Sequence, residues 1–239
     1  SSAVWFYLLP ALRAGRVVVT NVEGMYPLKT IEKMLGETFP SSARMFRIGS
    51  LKERYRDLWR RWWHWMPIGA FILMDEAQDI YPAKGWREED LNLKPVDFYS
   101  EVLPPELFKL FKSTREDFAP ELDESSTDDT GDLQFDSDGL IIYPQTLNEC
   151  YKRHRKYNWD IHLCTPDISQ IHKIIRGASE LAVAYKNKDT FLSKRRPRLV
   201  EHDPSKRVIT PTKLDVVYQR KVPVDVHLLY KSTQTGQIT

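Results

Sequence analysis

The chain has 239 residues, with 35 Lys and Arg against 33 Asp and Glu, a net charge of +2 and 41% hydrophobic residues. That length suits one α/β domain with room for an appended lobe. The near balance of charge excludes a whole-molecule attraction to nucleic acid, and no apolar run approaches the roughly 20 residues that span a bilayer. Its two cysteines, Cys150 and Cys164, fit no disulfide or zinc spacing, so a reducing cytosol is the simplest setting. Cys164 reads as an inert core thiol.

Residues 3–14 read as a helix packed on a sheet, and Val17 to Asn21 as a buried strand closing in a turn. Pro27 to Leu35 has helical spacing, with Thr30 as candidate cap. Arg44 to Ile48 reads as a short strand, at the sheet's edge or leading into the next helix. Leu51 to Trp65 is helical, and Tyr55, Trp59, Trp62 and Trp63 share one face at i, i+4, i+7 and i+8. Four readings of that stripe are open: a face packed on the sheet, a subunit contact, a lipid-facing surface, and stacking on single-stranded DNA. Phe71 to Met74 is an unbroken apolar run, the mark of a strand buried on both faces of a parallel sheet. An insertion at 84–143 follows. Its stretch 121–138 is acidic and rich in turn formers, and is expected to be a mobile surface loop. Asp160 to Thr165 is the next strand, Ser169 to Glu180 a helix and Leu181 to Tyr185 a further strand. Val208 to Thr210, Leu214 to Tyr218 and Val224 to Tyr230 are β-rich and suggest a terminal hairpin. The alternation of β and α predicts a mostly parallel sheet flanked by helices, with a small antiparallel C-terminal extension.

The run Phe71-Ile72-Leu73-Met74 leads directly into Asp75 and Glu76. Two anions then stand at the carboxyl end of a buried strand, where open α/β sheets bind ligands. This is the Walker B arrangement of P-loop NTPases, although many strands end in a solvated acidic pair. The N-terminus adds to the argument. The chain begins at Ser1, without Met, inside a helix that feeds a buried strand. A P-loop is a strand, a Gly-rich turn ending Gly-Lys-Ser/Thr, and a helix. Helix and following strand are here; no Gly-x-x-x-x-Gly-Lys-Ser/Thr occurs in the 239 residues. The expectation is a P-loop NTPase-like domain whose Gly-Lys precedes Ser1. Ser1 would then be the Ser/Thr of that motif, with Ser2 as the competing register.

Four segments resemble the zonular occludens toxin (Zot) family and its relatives, the filamentous-phage assembly ATPases of the inner membrane. Leu9-Pro10-Ala11-Leu12-Arg13-Ala14-Gly15-Arg16-Val17-Val18-Val19-Thr20-Asn21 is similar to the family's helix, glycine turn and strand ending Thr-Asn. Met74-Asp75-Glu76-Ala77-Gln78-Asp79-Ile80-Tyr81-Pro82 resembles its Asp-Glu-Ala-Gln, aromatic and Pro. Arg155-Lys156-Tyr157-Asn158-Trp159-Asp160-Ile161, with Asp167-Ile168-Ser169, Lys173 and Arg176, resembles its Arg-Lys-(x)₂-Trp-Asp-Ile block and the helix after it. Leu229-Tyr230-Lys231-Ser232-Thr233-Gln234-Thr235-Gly236 looks like the end of its ATPase domain. The resemblance implies an ATP- and Mg²⁺-dependent domain in the bacterial cytoplasm, on the cytoplasmic side of the host inner membrane. A helix after the C-terminus would tether it. It would act as a homo-oligomer with other phage assembly proteins and phage single-stranded DNA, coupling hydrolysis to extrusion of DNA and coat.

Roles for single residues follow. Asp75, with the Ser1 hydroxyl, would hold Mg²⁺. Glu76 would polarise the attacking water; Gln78 would orient it or make a structural contact to the next strand. Thr165 is the sensor candidate at the end of the neighbouring strand, where relatives often carry Gln. Arg155 and Arg176 fit the family pattern as arginine fingers or as salt-bridged surface residues. The basic run Lys194-Arg195-Arg196-Pro197-Arg198 is either a contact for phosphates and acidic lipids or a solvated loop. The six histidines have no zinc-like spacing. A non-catalytic scaffold or interaction domain on the same fold is the alternative function, and a double-stranded DNA pump of the same ATPase clan is a third.

Overall fold

A computed structural model describes residues 2–88, 91, 94–118, 127, 131–186, 198–206 and 216–231. Four strands, β1 (Val17–Thr20), β2 (Arg44–Arg47), β3 (Phe71–Met74) and β4 (Asp160–Leu163), form an all-parallel sheet in the order β2-β1-β3-β4. The register sets Val19 beside Ile72, and Ile72 beside Ile161. Every residue of β3 is buried, as the unbroken apolar run requires. Its side chains alternate between two cores. Ile72 and Met74 enter one with the tryptophans; Phe71 and Leu73 enter the other with Leu8, Leu9 and Leu12. Each fully buried side chain of this size contributes about 1.5–3 kcal/mol, so β3 anchors both layers.

Residues 2–13 are helical, with a π turn at Val4–Leu8 leading into α1 (Leu9–Arg13). Gly15, at a φ of 76°, turns the chain into β1. A helix followed this closely by β1 runs antiparallel to it, so Ser2 and Ala3 lie at the carboxyl edge of the sheet. The amino edge is tied by Arg16, which donates to the carbonyls of Gly69 (2.9 Å), Ala70 (3.2 Å) and Asn158 (2.7 Å) and pairs with Asp160.

The helices α2 (Leu28–Leu35) and α3 (Glu53–Arg60) follow β1 and β2. Thr30 is not a cap: the first helical residue follows Pro27, and no side chain caps the end. The helix expected over Leu51 to Trp65 breaks at Arg61, and Trp62–His64 continue as a 3-10 turn. This turn swings the tryptophans inward. Trp59, Trp62, Trp63 and Trp65 are all fully buried. Trp59 Nε1 donates to the Ile48 carbonyl (3.0 Å), Trp65 Nε1 to that of Leu58 (3.1 Å), and Trp62 packs edge-on against Trp159. The tryptophans of the stripe expose no ring and so cannot serve as a subunit, lipid or DNA surface; they form core, while Tyr55 stays partly exposed.

After α4 (Ala77–Ile80), the insertion supplies α5 (Val96–Val102) and α6 (Pro105–Glu116). These helices complete the tryptophan core rather than extend from it. Tyr99 bonds His64 Nδ1 at 2.7 Å, Thr114 Oγ1 accepts from Ile68 N (3.1 Å), and Tyr143 donates to the Met66 carbonyl (3.0 Å). Within the acidic stretch, 121–126 and 128–130 lie outside the described residues. In the part at 131–138, which forms no helix or strand, Phe135 bridges Ile141 and Asp136 pairs with Arg115 at 3.2 Å.

The helix expected over Ser169 to Glu180 is shorter. Ile168–Gln170 form a 3-10 turn, and α8 (Lys173–Ala178) follows, packed on α7 (Leu147–Lys152). β5 (Ala182–Lys186), β6 (Arg198–His202) and β7 (Val216–Gln219) make a separate antiparallel sheet in that order. Arg198 therefore belongs to a strand, while Lys194 to Pro197 lie outside the described residues, as do Val208 to Thr210. The segment Val224 to Tyr230 is not a strand but a 3-10 helix over Val224–Leu228, since its Pro-Val-Asp start closes a tight turn. Leu229 and Lys231 then bond the backbone of Tyr26 and Gly24. Among the described residues, no helix is long and apolar enough to cross a membrane.

Candidate functional site

The strand β3 ends at Met74, and the next two residues change both chemistry and backbone. Asp75 is partly buried and Glu76 is exposed. Glu76 sits in the left-handed region (φ 49°, ψ 46°) before α4 begins at Ala77. A side chain larger than glycine or asparagine is seldom held there, at a cost of about 1–2 kcal/mol, and such strain gathers at functional sites.

Neighbouring strands fix the Asp75 peptide. The Asn21 amide, just past β1, accepts from Asp75 N (2.6 Å) and donates to Asp75 O (2.8 Å) and to Ser50 Oγ (2.8 Å). Thr20 Oγ1 donates to the Leu73 carbonyl (2.8 Å). On the other side, Cys164 N donates to Met74 O and Ala77 N to Cys164 O, both at 2.8 Å. The acids are thus held at the carboxyl edge by three parallel strands. Asn21 is 3% exposed. Local pattern marks Thr20-Asn21 only as a strand ending in a turn; the sequence signal for the positioning role is a polar amide directly after a buried strand.

Burial pushes the Asp75 carboxyl up, the adjacent Glu76 carboxylate adds to this, and the Glu76 backbone N–H opposes it. A carboxylate held in this way gains from a cation. The donor set fits Mg²⁺ bound with a phosphate ligand, which needs only one or two carboxylates and completes its shell with water and phosphate oxygens. It does not make an all-protein cage, since no cluster of three or more His, Cys, Asp or Glu occurs among the described residues.

Gln78 Nε2 donates to Glu76 Oε2 at 2.6 Å. It therefore orients Glu76, and among the described residues its buried Oε1 has no hydrogen-bond partner. Thr165 follows β4 at the same edge, but its hydroxyl donates to the Asp167 carbonyl (3.0 Å) and accepts from Asp167 N (3.3 Å). The hydroxyl closes the Thr165-Pro166-Asp167 turn. Ser2 stands at the start of the helix at the same edge; Ser1 lies outside the described residues. Arg155 is exposed and pairs with Glu180. Arg176 is buried, with one long bond from Nη1 to the Ser205 carbonyl (3.4 Å). That placement does not suit a group reaching into a neighbouring subunit. His162 is stacked between Tyr7 and Phe71, and burial holds its ring below the usual histidine value. Burial pushes the Cys164 thiol up to about 12, which suits an inert thiol.

The order of motifs along this fold is matched by the family model of the zonular occludens toxin (Zot), over residues 1–237. The chain belongs to the Zot family. It is 28% identical to the Zona occludens toxin of Vibrio cholerae serotype O1 over 237 residues, which is 99% of the chain and 49% of that protein. The chain thus spans about half the length of this curated Zot relative. Among solved structures it is similar to the N-terminal domain of zonular occludens toxin from Neisseria meningitidis (15% identity, TM-score 0.40, covering 90% of this chain and 80% of that one). It is also similar to the genome packaging NTPase B204 of Sulfolobus turreted icosahedral virus 2 in complex with ATP-gammaS (7% identity, TM-score 0.38, covering 92% and 91%).

Proposed function

We propose that this Zot-family chain is the nucleotide-hydrolysing domain of a phage assembly protein. The observation that carries the reading is the placement of Asp75 and Glu76. Both stand at the carboxyl edge of a buried parallel strand, beside the start of the first helix, with the Asp75 peptide pinned by Asn21. ATP is the proposed substrate, with Mg²⁺ as its counter-ion. Mg²⁺, when bound, neutralises charge on the β- and γ-phosphate oxygens. Asp75 binds it, with the Ser1 or Ser2 hydroxyl as the helix-side donor. Glu76, steered by Gln78, polarises the attacking water. Thr165 and Arg155 are second-rank candidates for contacting the γ-phosphate, the latter from a neighbouring copy.

Hydrolysis would drive extrusion of filamentous-phage DNA and coat from the cytoplasmic side of the inner membrane. The domain would work as a homo-oligomer with other assembly proteins and phage single-stranded DNA. A segment C-terminal to these residues would tether it to the bilayer.

The test is Mg²⁺-dependent ATP hydrolysis by the full-length protein and its Asp75→Asn and Glu76→Gln variants. Removal of a water-polarising carboxylate is expected to cost about 10²-fold or more in turnover, with nucleotide binding retained in Glu76→Gln. Unchanged turnover in both variants removes the acids from the mechanism. Absence of nucleotide binding by the full-length protein would favour the scaffold.

A further inference from the structure

A cleft of about 450 Å³ opens at the far end of α4, between the segment after Pro82 and the start of α8. Backbone pairing holds its two walls together: Pro82 bridges Ile171, and Ala83 N donates to Gln170 O at 2.8 Å. Lys84, Ser169, His172, Lys173 and Arg176 line it. Lys84 and Lys173 are exposed. Arg176 is 8% exposed, and its buried Nε has no hydrogen-bond partner among the described residues. Among the described residues, the one hydrogen bond of its guanidinium is the long contact to Ser205, and no carboxylate pairs with it. A guanidinium removed from water without a counter-charge carries a desolvation cost that an anion would offset. The His172 ring packs on Trp86, and its Nδ1 accepts from Ile174 N (3.4 Å). In the neutral ring that assignment leaves the proton on Nε2, as a further donor.

We propose that this cleft binds a phosphate group, with Arg176 as the buried anchor and Lys84 and Lys173 as the exposed arms. Three cations with a hydroxyl and an imidazole donor exceed what a single carboxylate uses. They suit the several acceptor oxygens of phosphate, for which guanidinium offers a matching fork. The group is either free phosphate or a phosphodiester of single-stranded nucleic acid; both present the same chemistry to the cleft. Neither Asp75 nor Glu76 lines the cleft, and the proposal does not depend on hydrolysis there.

The experiment titrates the full-length protein with inorganic phosphate by calorimetry, and with labelled single-stranded oligothymidylate by fluorescence anisotropy. The proteins compared are wild type, a Lys84→Ala/Lys173→Ala double variant, and Glu76→Gln. An Arg176→Gln variant is added, and the double variant keeps the test decisive if Arg176→Gln fails to fold. At least about a tenfold loss of affinity is expected in the double variant, as for loss of charge-assisted bonds, while Glu76→Gln binds as wild type does. If the loss appears with oligothymidylate, competes with phosphate and comes with a shallower salt dependence, the source is the nucleic-acid backbone. If it appears with phosphate alone, the source is the free anion. Equal affinity of wild type and double variant for both ligands overturns the proposal. So does phosphate binding that is lost in Glu76→Gln, because the two sites would then be one.

Discussion

Replacing Asn21 by Ala removes both side-chain bonds to the Asp75 peptide, at 2.6 and 2.8 Å, and the one to Ser50. The Asp75 N–H and C=O then lose their partners at a site that Asn21 itself, 3% exposed, helps to close. An unsatisfied buried polar group costs about 1–3 kcal/mol, so the pair is expected to cost about 2–6 kcal/mol in total. For a chain of this size that lowers the melting temperature by roughly 4–24 °C, at about 2–4 °C per kcal/mol. The buried tryptophans provide the readout, through intrinsic fluorescence during thermal or urea unfolding. ATP hydrolysis is expected to fall further than stability alone explains, because the Asp75 carboxylate loses its fixed position. Asn21→Asp keeps the acceptor for Asp75 N, loses the donor to Asp75 O and adds a third carboxylate, so it should be no better than Ala. An Asn21→Ala protein that melts within about 1 °C of wild type, with normal hydrolysis, refutes the claim that Asn21 positions the acid.

Three further outcomes are expected. Asp75→Asn should raise stability at neutral pH while abolishing Mg²⁺-dependent turnover. The folded protein holds a proton on Asp75 more readily than the unfolded chain does, so this group favours folding at acid pH and loses that contribution as pH rises through its raised folded value; denaturant titration from pH 4 to 8 should show the variant's advantage growing with pH. His64 has the opposite sign. Burial, then Arg61, holds its ring down to about 4 against an ordinary 6.5, so stability present above 6.5 is lost as pH falls through that interval, and His64→Phe should flatten that part of the curve. Gly24 has a φ of 71°, and a Cβ there would collide with the Lys231 carbonyl, so Gly24→Ala should cost at least about 1–2 kcal/mol by urea unfolding; a variant as stable as wild type would show that the 24–26 and 229–231 pairing carries no strain.

The tryptophan stripe shows where local pattern stopped being informative. Helical spacing placed Tyr55 on the same face as Trp59, Trp62 and Trp63, yet Tyr55 remains partly exposed while the tryptophans are buried. The break at Arg61 rotates the stripe, and helices α5 and α6 from the insertion close over it. Nothing in the eleven residues from Tyr55 to Trp65 encodes that cover. The terminal β-rich segments show the same limit. Val216–Gln219 pair with β6 in an antiparallel sheet, whereas Val224–Leu228 coil into a 3-10 turn after Pro223. Composition alone did not separate the two.

By itself, the sequence determined the buried strand from Phe71 to Met74, the acids after it and the alternation that yields a parallel sheet. Each depends on neighbours a few residues apart, so a local run of apolar or charged side chains is enough to specify it. The tertiary structure alone decided that Asn21 grips Asp75, that Thr165 turns toward Asp167, and that Arg176 lies buried in a basic cleft. The grip and the burial depend on groups brought together from segments far apart in the chain, and the Thr165 turn on a competition between nearby acceptors that only the folded backbone resolves.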